Sequence, residues 1–207
     1  THKHPRALVP ALLLADAIRH APERRGRFLD AALAQADAIY DGSSQWLADP
    51  YLGEVLQPYT GDVSSVLVQG LDDEVVDILL AATKTREQLT GIKLDGLGDP
   101  CVGIGQGWES ASAVALGLLV ADLATNSDKS QNPQLSGPEA LSWAATSNGD
   151  SDSIACIAGA VIGASETEHD YWKLAGMNLQ FEPRYAAEIQ SAINTFGSGS
   201  QTALQGL

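Results

Sequence analysis

Cysteine is scarce in this chain: there are two among 207 residues, Cys101 and Cys156. They are far apart and too few for a disulfide scaffold, so a reducing, cytoplasmic compartment is the simpler reading. Basic residues are few as well, 12 Lys and Arg against 26 Asp and Glu, for a formal net charge of −14. Neutralising phosphates takes clustered Lys and Arg, so binding to a nucleic-acid backbone is not expected. Apolar runs such as Ala113 to Ala121 fall well short of the roughly 20 residues a membrane helix needs. His2, Lys3, His4 and Arg6 lead into an amphipathic segment with no small-residue cleavage site, which is not a signal peptide. The chain also begins at Thr1 without an initiator methionine, which reads as a processed or truncated product. Convincing strand alternation and internal repeats are absent too.

What remains is helical patterning. Pro5 to His20 has a proline where a first helical turn tolerates one, although Pro10 is expected to bend or restart the helix. Glu23 to Tyr40 spaces Phe28, Leu29, Ala32, Leu33, Ala36 and Ile39 along one helical face, and Asp72 to Leu89 repeats the pattern behind an acidic start. Trp108 to Thr125 is apolar nearly all round and predicts a central helix. Ser136 and Glu139 have capping-box spacing and open a short helix through Trp143. Ile154 to Ala164 predicts a buried helix packed through Gly159 and Gly163, and Pro183 to Phe196 a last one. Residues 41 to 71 and 91 to 107 carry Gly, Pro and Asp punctuation and read as long functional or covering loops. The fold class is therefore all-α, a compact multi-helix bundle over residues 1–196 with a flexible tail over 197–207.

The most chemically loaded stretch is Gly149-Asp-Ser-Asp-Ser153, immediately ahead of Ile154 and a run of Ala, Ile and Gly. Asp150, Asp152 and Ser153 offer three hard oxygen ligands within four residues, suited to Mg²⁺, Mn²⁺ or Ca²⁺. The plain alternative is that one of them caps the helix and the others favour its positive dipole end. An EF-hand is excluded, because Ile154 and Val161 fall where calcium ligands are needed. Gly103-Ile-Gly-Gln-Gly107 looks like a phosphate loop but lacks the βαβ setting of a dinucleotide fold. Trp108 reads more readily as a core anchor than as a stacking platform, and Cys156 as buried packing between Ala and Ile. His169-Asp170 has no nucleophile elbow to serve.

These residues carry a resemblance. Gly149-Asp-Ser-Asp-Ser153 and its Gly- and Ala-rich helix resemble the C-terminal signature of the ADP-ribosylglycohydrolase family, exemplified by dinitrogenase reductase-activating glycohydrolase. Three segments agree in order: Thr1-His2, Gly105-Gln-Gly-Trp108, and Phe181-Glu-Pro-Arg-Tyr185 after Trp172. The resemblance implies the family's all-α orthogonal bundle. It implies Asp150, Asp152 and Ser153 as ligands of a two-magnesium site, with manganese an alternative. It implies Thr1 and His2 near the ADP-ribose diphosphate, and Ile104, Gly105, Gly107 and Trp108 along the nucleotide.

Three family segments do not occur: Gly-Asp-Ala-x-Gly, the Thr-Asp-Asp that supplies the other metal ligands, and the Asn-Gly-x-x-Met-Arg phosphate loop. Asp72-Asp73 lacks the preceding Thr, is in the wrong order and reads as a charged helix start. The chain thus resembles the C-terminal portion of such an enzyme, completed by an N-terminal half on a separate chain or in a missing segment. The implied activity is metal-assisted hydrolysis at ribose C1 that frees ADP-ribose from a modified acceptor. The alternative is a non-catalytic all-α module that binds a nucleotide or a protein partner.

Overall fold

A computed structural model of the chain describes residues 4–60, 62–89, 92, 94–126, 135–166, 187, 188 and 191. The chain divides into two compact units, Thr1–Trp172 and Lys173–Leu207. Among the described residues the first unit holds eight α-helices and no strand. In the second, residues 187, 188 and 191 are helical. The rest of the helix expected over 183–196, the tail over 197–207 and the Phe181 to Tyr185 segment lie outside the described residues.

Helix α6, Ser110–Thr125, is the axle of the first unit: every residue from Ala111 to Thr125 is buried. A helix without a polar face must be surrounded. Around it pack α1 (Pro5–Arg19), α2 (Phe28–Tyr40), α5 (Asp73–Leu89), α7 (Gly137–Ala145) and α8 (Ser151–Ser165). Helices α6 and α8 meet tightly at Gly117, where a Cβ would lie 2.3 Å from Ile157. Leu116, Leu118, Leu119, Ile154 and Ile162 are fully buried around this contact.

The helices expected in the first unit form with informative differences. Pro10 does not break α1, which runs through it with the ring buried. Helix α2 starts at Phe28 and not at Glu23, because the backbone N–H groups of Phe28 and Leu29 donate to Asp122 of α6 at 2.5 and 3.2 Å. Its own N-cap residue, Arg27, supplies no side-chain bond. Asp72 confirms the charged-start reading by capping α5, its carboxylate accepting the Val75 N–H at 3.1 Å. Ser136 and Glu139 form the capping box that opens α7.

The segment expected as a long loop over 41–71 is instead largely helical. It contains a 3₁₀ turn (Gln45–Ala48), α3 (Pro50–Thr60) and α4 (Val63–Gly70). The punctuation that suggested a loop is helix-start chemistry. Asp49 accepts the N–H groups of Tyr51 and Leu52 with Pro50 in the first turn, and Asp62 caps α4 through Ser65 N–H at 2.7 Å.

Helix α8 is not buried all round. Ile154, Ala158, Val161 and Ile162 face the core, whereas Asp152, Cys156, Ala160 and Gly163 are exposed along the opposite side. Cys156 is therefore a surface thiol and not core packing. Gly159 approaches Leu141, but Gly163 has open space around it and mediates no packing.

Candidate active-site cleft

Sequence places the Asp-rich turn between α7 and α8, and backbone geometry fixes it there. The Asp150 N–H donates to the Gln106 carbonyl at 2.7 Å. Gly149 lies so close to that carbonyl that a Cβ would come within 2.1 Å of the oxygen. Gly107, at φ +75°, adopts the left-handed conformation that favours glycine, and its Cα faces Ile154 and Asp150. The glycine loop of residues 103–107 and the aspartate turn are thus joined back to back.

A second tie lies just upstream. Asp99 accepts N–H groups from Cys101 (3.1 Å) and Asn148 (3.3 Å), and Nδ2 of Asn148 at 3.0 Å. Partial burial works against the Asp99 carboxylate, yet these donors prevail and hold it below the ordinary carboxylate range. Nearby, Trp143 donates its indole N–H to the Gly98 carbonyl at 2.7 Å. The approach to the aspartate turn is therefore held on both sides.

Asp150 occupies the N-cap position of α8, but its side chain makes no capping hydrogen bond. The helix-capping alternative fails for this residue. Asp152 is exposed, and its carboxyl is held below the ordinary range chiefly by a hydrogen bond with the Asp150 side chain, then by the Ser153 backbone N–H. The two acidic groups are therefore neighbours, an arrangement that a shared cation would favour.

Asp150 and Ser153 open onto a cleft of about 800 Å³ whose lining includes His4, Arg6, Gly107, Trp108 and Glu109. Ile104 and Gly105 instead line a neighbouring cavity of about 560 Å³ with Glu74 and Asp77, and Trp108 and Glu109 border both spaces. Trp108 is 69% exposed, so it is a surface ring between two cavities and not the core anchor its sequence context suggested. Thr1 and His2 lie outside the described residues. His4 and Arg6 are the cleft residues that sequence reasoning missed. His4 is the N-cap of α1, its ring Nδ1 accepting the Arg6 N–H at 3.3 Å. Arg6 pairs with Asp72 at 3.1 Å and Glu74 at 2.6 Å. The available signal was their place in the sequence just after Thr1-His2, at the start of α1.

Among the described residues no three His, Cys, Asp or Glu side chains converge where they could hold a metal ion. Asp150 and Asp152 with Ser153 carry oxygens of the kind a hard divalent ion takes, but fewer than its full coordination needs. No described helix is long and apolar enough to cross a membrane.

The chain is thus an all-α bundle with a cleft at the join of a glycine loop and an aspartate-led helix. A family model, ADP-ribosylglycohydrolase, matches residues 1–166. The chain belongs to the ADP-ribosylglycohydrolase family, whose name denotes hydrolases acting on ADP-ribosyl groups. No curated protein and no solved structure gives a significant match.

Proposed function

We propose that this chain is the C-terminal portion of a metal-dependent hydrolase that removes ADP-ribose from a modified acceptor by cleaving the glycosidic bond at ribose C1. The observation that carries the reading is the position of Asp150. It leads a helix without capping it, stands beside a second carboxylate, and borders a cleft that runs past an exposed indole. An N-terminal segment with a Thr-Asp-Asp element, on a separate chain or upstream, would complete the ligand set and bring the acid or base group.

In this reading Asp150, Asp152 and Ser153 would hold Mg²⁺, with two ions in the complete site and Mn²⁺ an alternative. When bound, such ions supply positive charge that orients ribose hydroxyls and a water at the anomeric carbon. The chain's own residues do the rest by placement. Gly107 lets the loop approach the ligand, and Trp108 offers one face to the ribosyl nucleotide. Thr1 and His2, ahead of His4, would lie toward the diphosphate, while Ile104 and Gly105 shape the far side of the indole. Departure of the acceptor leaves an oxocarbenium-like centre at C1, which water attacks. Two free cysteines, one of them exposed, support a reducing, cytoplasmic setting.

Asp152→Asn is the direct test. Asp152 is exposed, so the substitution is expected to leave thermal stability nearly unchanged. Hydrolysis of an ADP-ribosylated acceptor by the completed enzyme is expected to fall below about 1% of wild type, the cost of losing a ligand that has no substitute. Normal metal-dependent turnover in the variant would remove the assignment. A second reading, a non-catalytic nucleotide- or protein-binding module, is favoured by the incomplete set of metal-ligating side chains among the described residues. It predicts nucleotide binding without any dependence on divalent ions.

A further inference from the structure

We infer that Ser112 is the positioning residue of the cleft: through one hydroxyl it holds the glycine loop, and through that loop it sets the aspartate turn. Ser112 lies in the first turn of α6 and is 6% exposed, one of the few buried polar side chains in the described core. Its Oγ accepts the Gly107 N–H at 3.2 Å and donates to the Glu109 carbonyl at 3.1 Å. Both capacities of the hydroxyl are therefore used within the segment that bends around Trp108. Its Cβ also packs under Gly105, where a side chain would come within 2.9 Å of it.

The chain of contacts continues without a gap. From Gly107 the backbone runs back one residue to Gln106, whose carbonyl accepts the Asp150 N–H at 2.7 Å and sits against Gly149. Loop and turn therefore share their hydrogen bonds, and a shift of the loop must lengthen the bond to Asp150. Trp108 and Asp150, both in the lining of the cleft, are in this way set by a side chain that is outside that lining and borders the neighbouring cavity instead. Nothing in the linear sequence marks Ser112, which looks like one more small residue in an apolar helix.

The consequence for metal binding rests on the proposed function, but the mechanical link does not, and amide exchange measured by NMR reads the link directly. In Ser112→Ala the Gly107 N–H loses its acceptor, and both the Gly107 and Asp150 amides are expected to exchange about tenfold faster, the loss of one ordinary buried hydrogen bond. Ser165→Ala is the control. Ser165 is also buried, its Oγ donating to the Ile162 carbonyl at 2.8 Å at the far end of α8. Its loss should leave the Gly107 and Asp150 amides at their wild-type rates. Should the alanine variant fold poorly, Ser112→Cys keeps the volume and a weaker acceptor, and an intermediate acceleration is expected. Acceleration at Gly107 alone, at neither amide, or equally in Ser165→Ala would overturn the inference. In the completed enzyme Ser112→Ala should also weaken Mg²⁺ binding about tenfold, as loss of a supporting bond does. If wild type binds no Mg²⁺ at all, the proposed function falls while the exchange result still decides the role of Ser112.

Discussion

Asp122→Ala is expected to destabilise the protein by about 3 kcal/mol at pH 7, the cost of removing a buried carboxylate and leaving the backbone N–H groups that donate to it without that acceptor. The carboxylate is 1% exposed. It accepts the N–H groups of Phe28 and Leu29 and lies 3.0 Å from Nη1 of Arg86, which also pairs with Asp30 at 2.7 Å. Removing it strips α2 of a cap supplied from another helix and leaves the half-buried Arg86 with Asp30 alone among these acids. Truncating an exposed acid would cost a few tenths of a kcal/mol, so thermal or denaturant unfolding separates the cases.

The same residue predicts a pH dependence with a definite sign. Burial pushes the Asp122 carboxyl up from 3.8 to about 6, against the opposing pull of the Phe28 N–H, Arg86 and the Leu29 N–H. A folded-state value above the unfolded one means that the folded protein binds the proton more tightly. The associated stability is fully present below 3.8 and is lost as pH rises through about 6. The stability gap between wild type and Asp122→Ala should therefore widen as pH falls from 7 to 4, by up to about 3 kcal/mol. A gap that narrows on acidification would show that Arg86 and the backbone donors outweigh burial.

Gly149→Ala is the second large effect, and it acts on the cleft. A methyl group 2.1 Å from the Gln106 carbonyl oxygen cannot be accommodated by a side-chain rotation, because the obstacle is backbone. Loop and turn must separate, at a cost of about 3 kcal/mol, the upper part of the range for overpacked sites. The Asp150–Gln106 hydrogen bond would lengthen with that separation, so Mg²⁺ affinity of the completed enzyme should fall by about tenfold or more. Gly163→Ala is the matched comparison, since Gly163 has open space around it. There a stability change close to zero or a small gain is expected from the better helix propensity of alanine.

Much of the helical frame is legible in the sequence because it rests on local rules. Helix α6 declares itself by apolarity all round, α7 by the Ser136 and Glu139 capping box, and α5 by its acidic start. Helices α3 and α4 are not, since Asp49-Pro50 and Gly61-Asp62 serve equally as turn and as helix-start signals. Only the pairing of those aspartates with N–H groups decides. The start of α2 is invisible for a different reason: its cap is Asp122, supplied from α6, a contact no local pattern encodes.

The cleft divides in the same way. Asp150, Asp152 and Ser153 stand out as a dense set of oxygen donors before an apolar helix, and the family match over residues 1–166 agrees with the resemblance they carry. Trp108 misleads because an indole beside a buried helix normally packs into the core. Here the left-handed backbone at Gly107 turns the chain outward just before it. The exposed side of α8, with Asp152 and Cys156 on one face, follows from which neighbours cover that helix, and its mostly apolar composition conceals it. Ser112 is hidden because its partners are backbone groups of a loop whose shape the sequence does not declare.

The central claim is that Asp150 and Asp152 are half of a divalent-ion site used on ADP-ribose. Calorimetric titration of Mg²⁺ and then ADP-ribose into this chain, alone and mixed with an N-terminal segment carrying the Thr-Asp-Asp element, tests it most directly. The account predicts weak or no heat from the chain alone, saturable binding of both in the mixture, and loss of the Mg²⁺ step with Asp152→Asn. Absence of Mg²⁺ binding in the mixture, or binding that Asp152→Asn leaves intact, would contradict it.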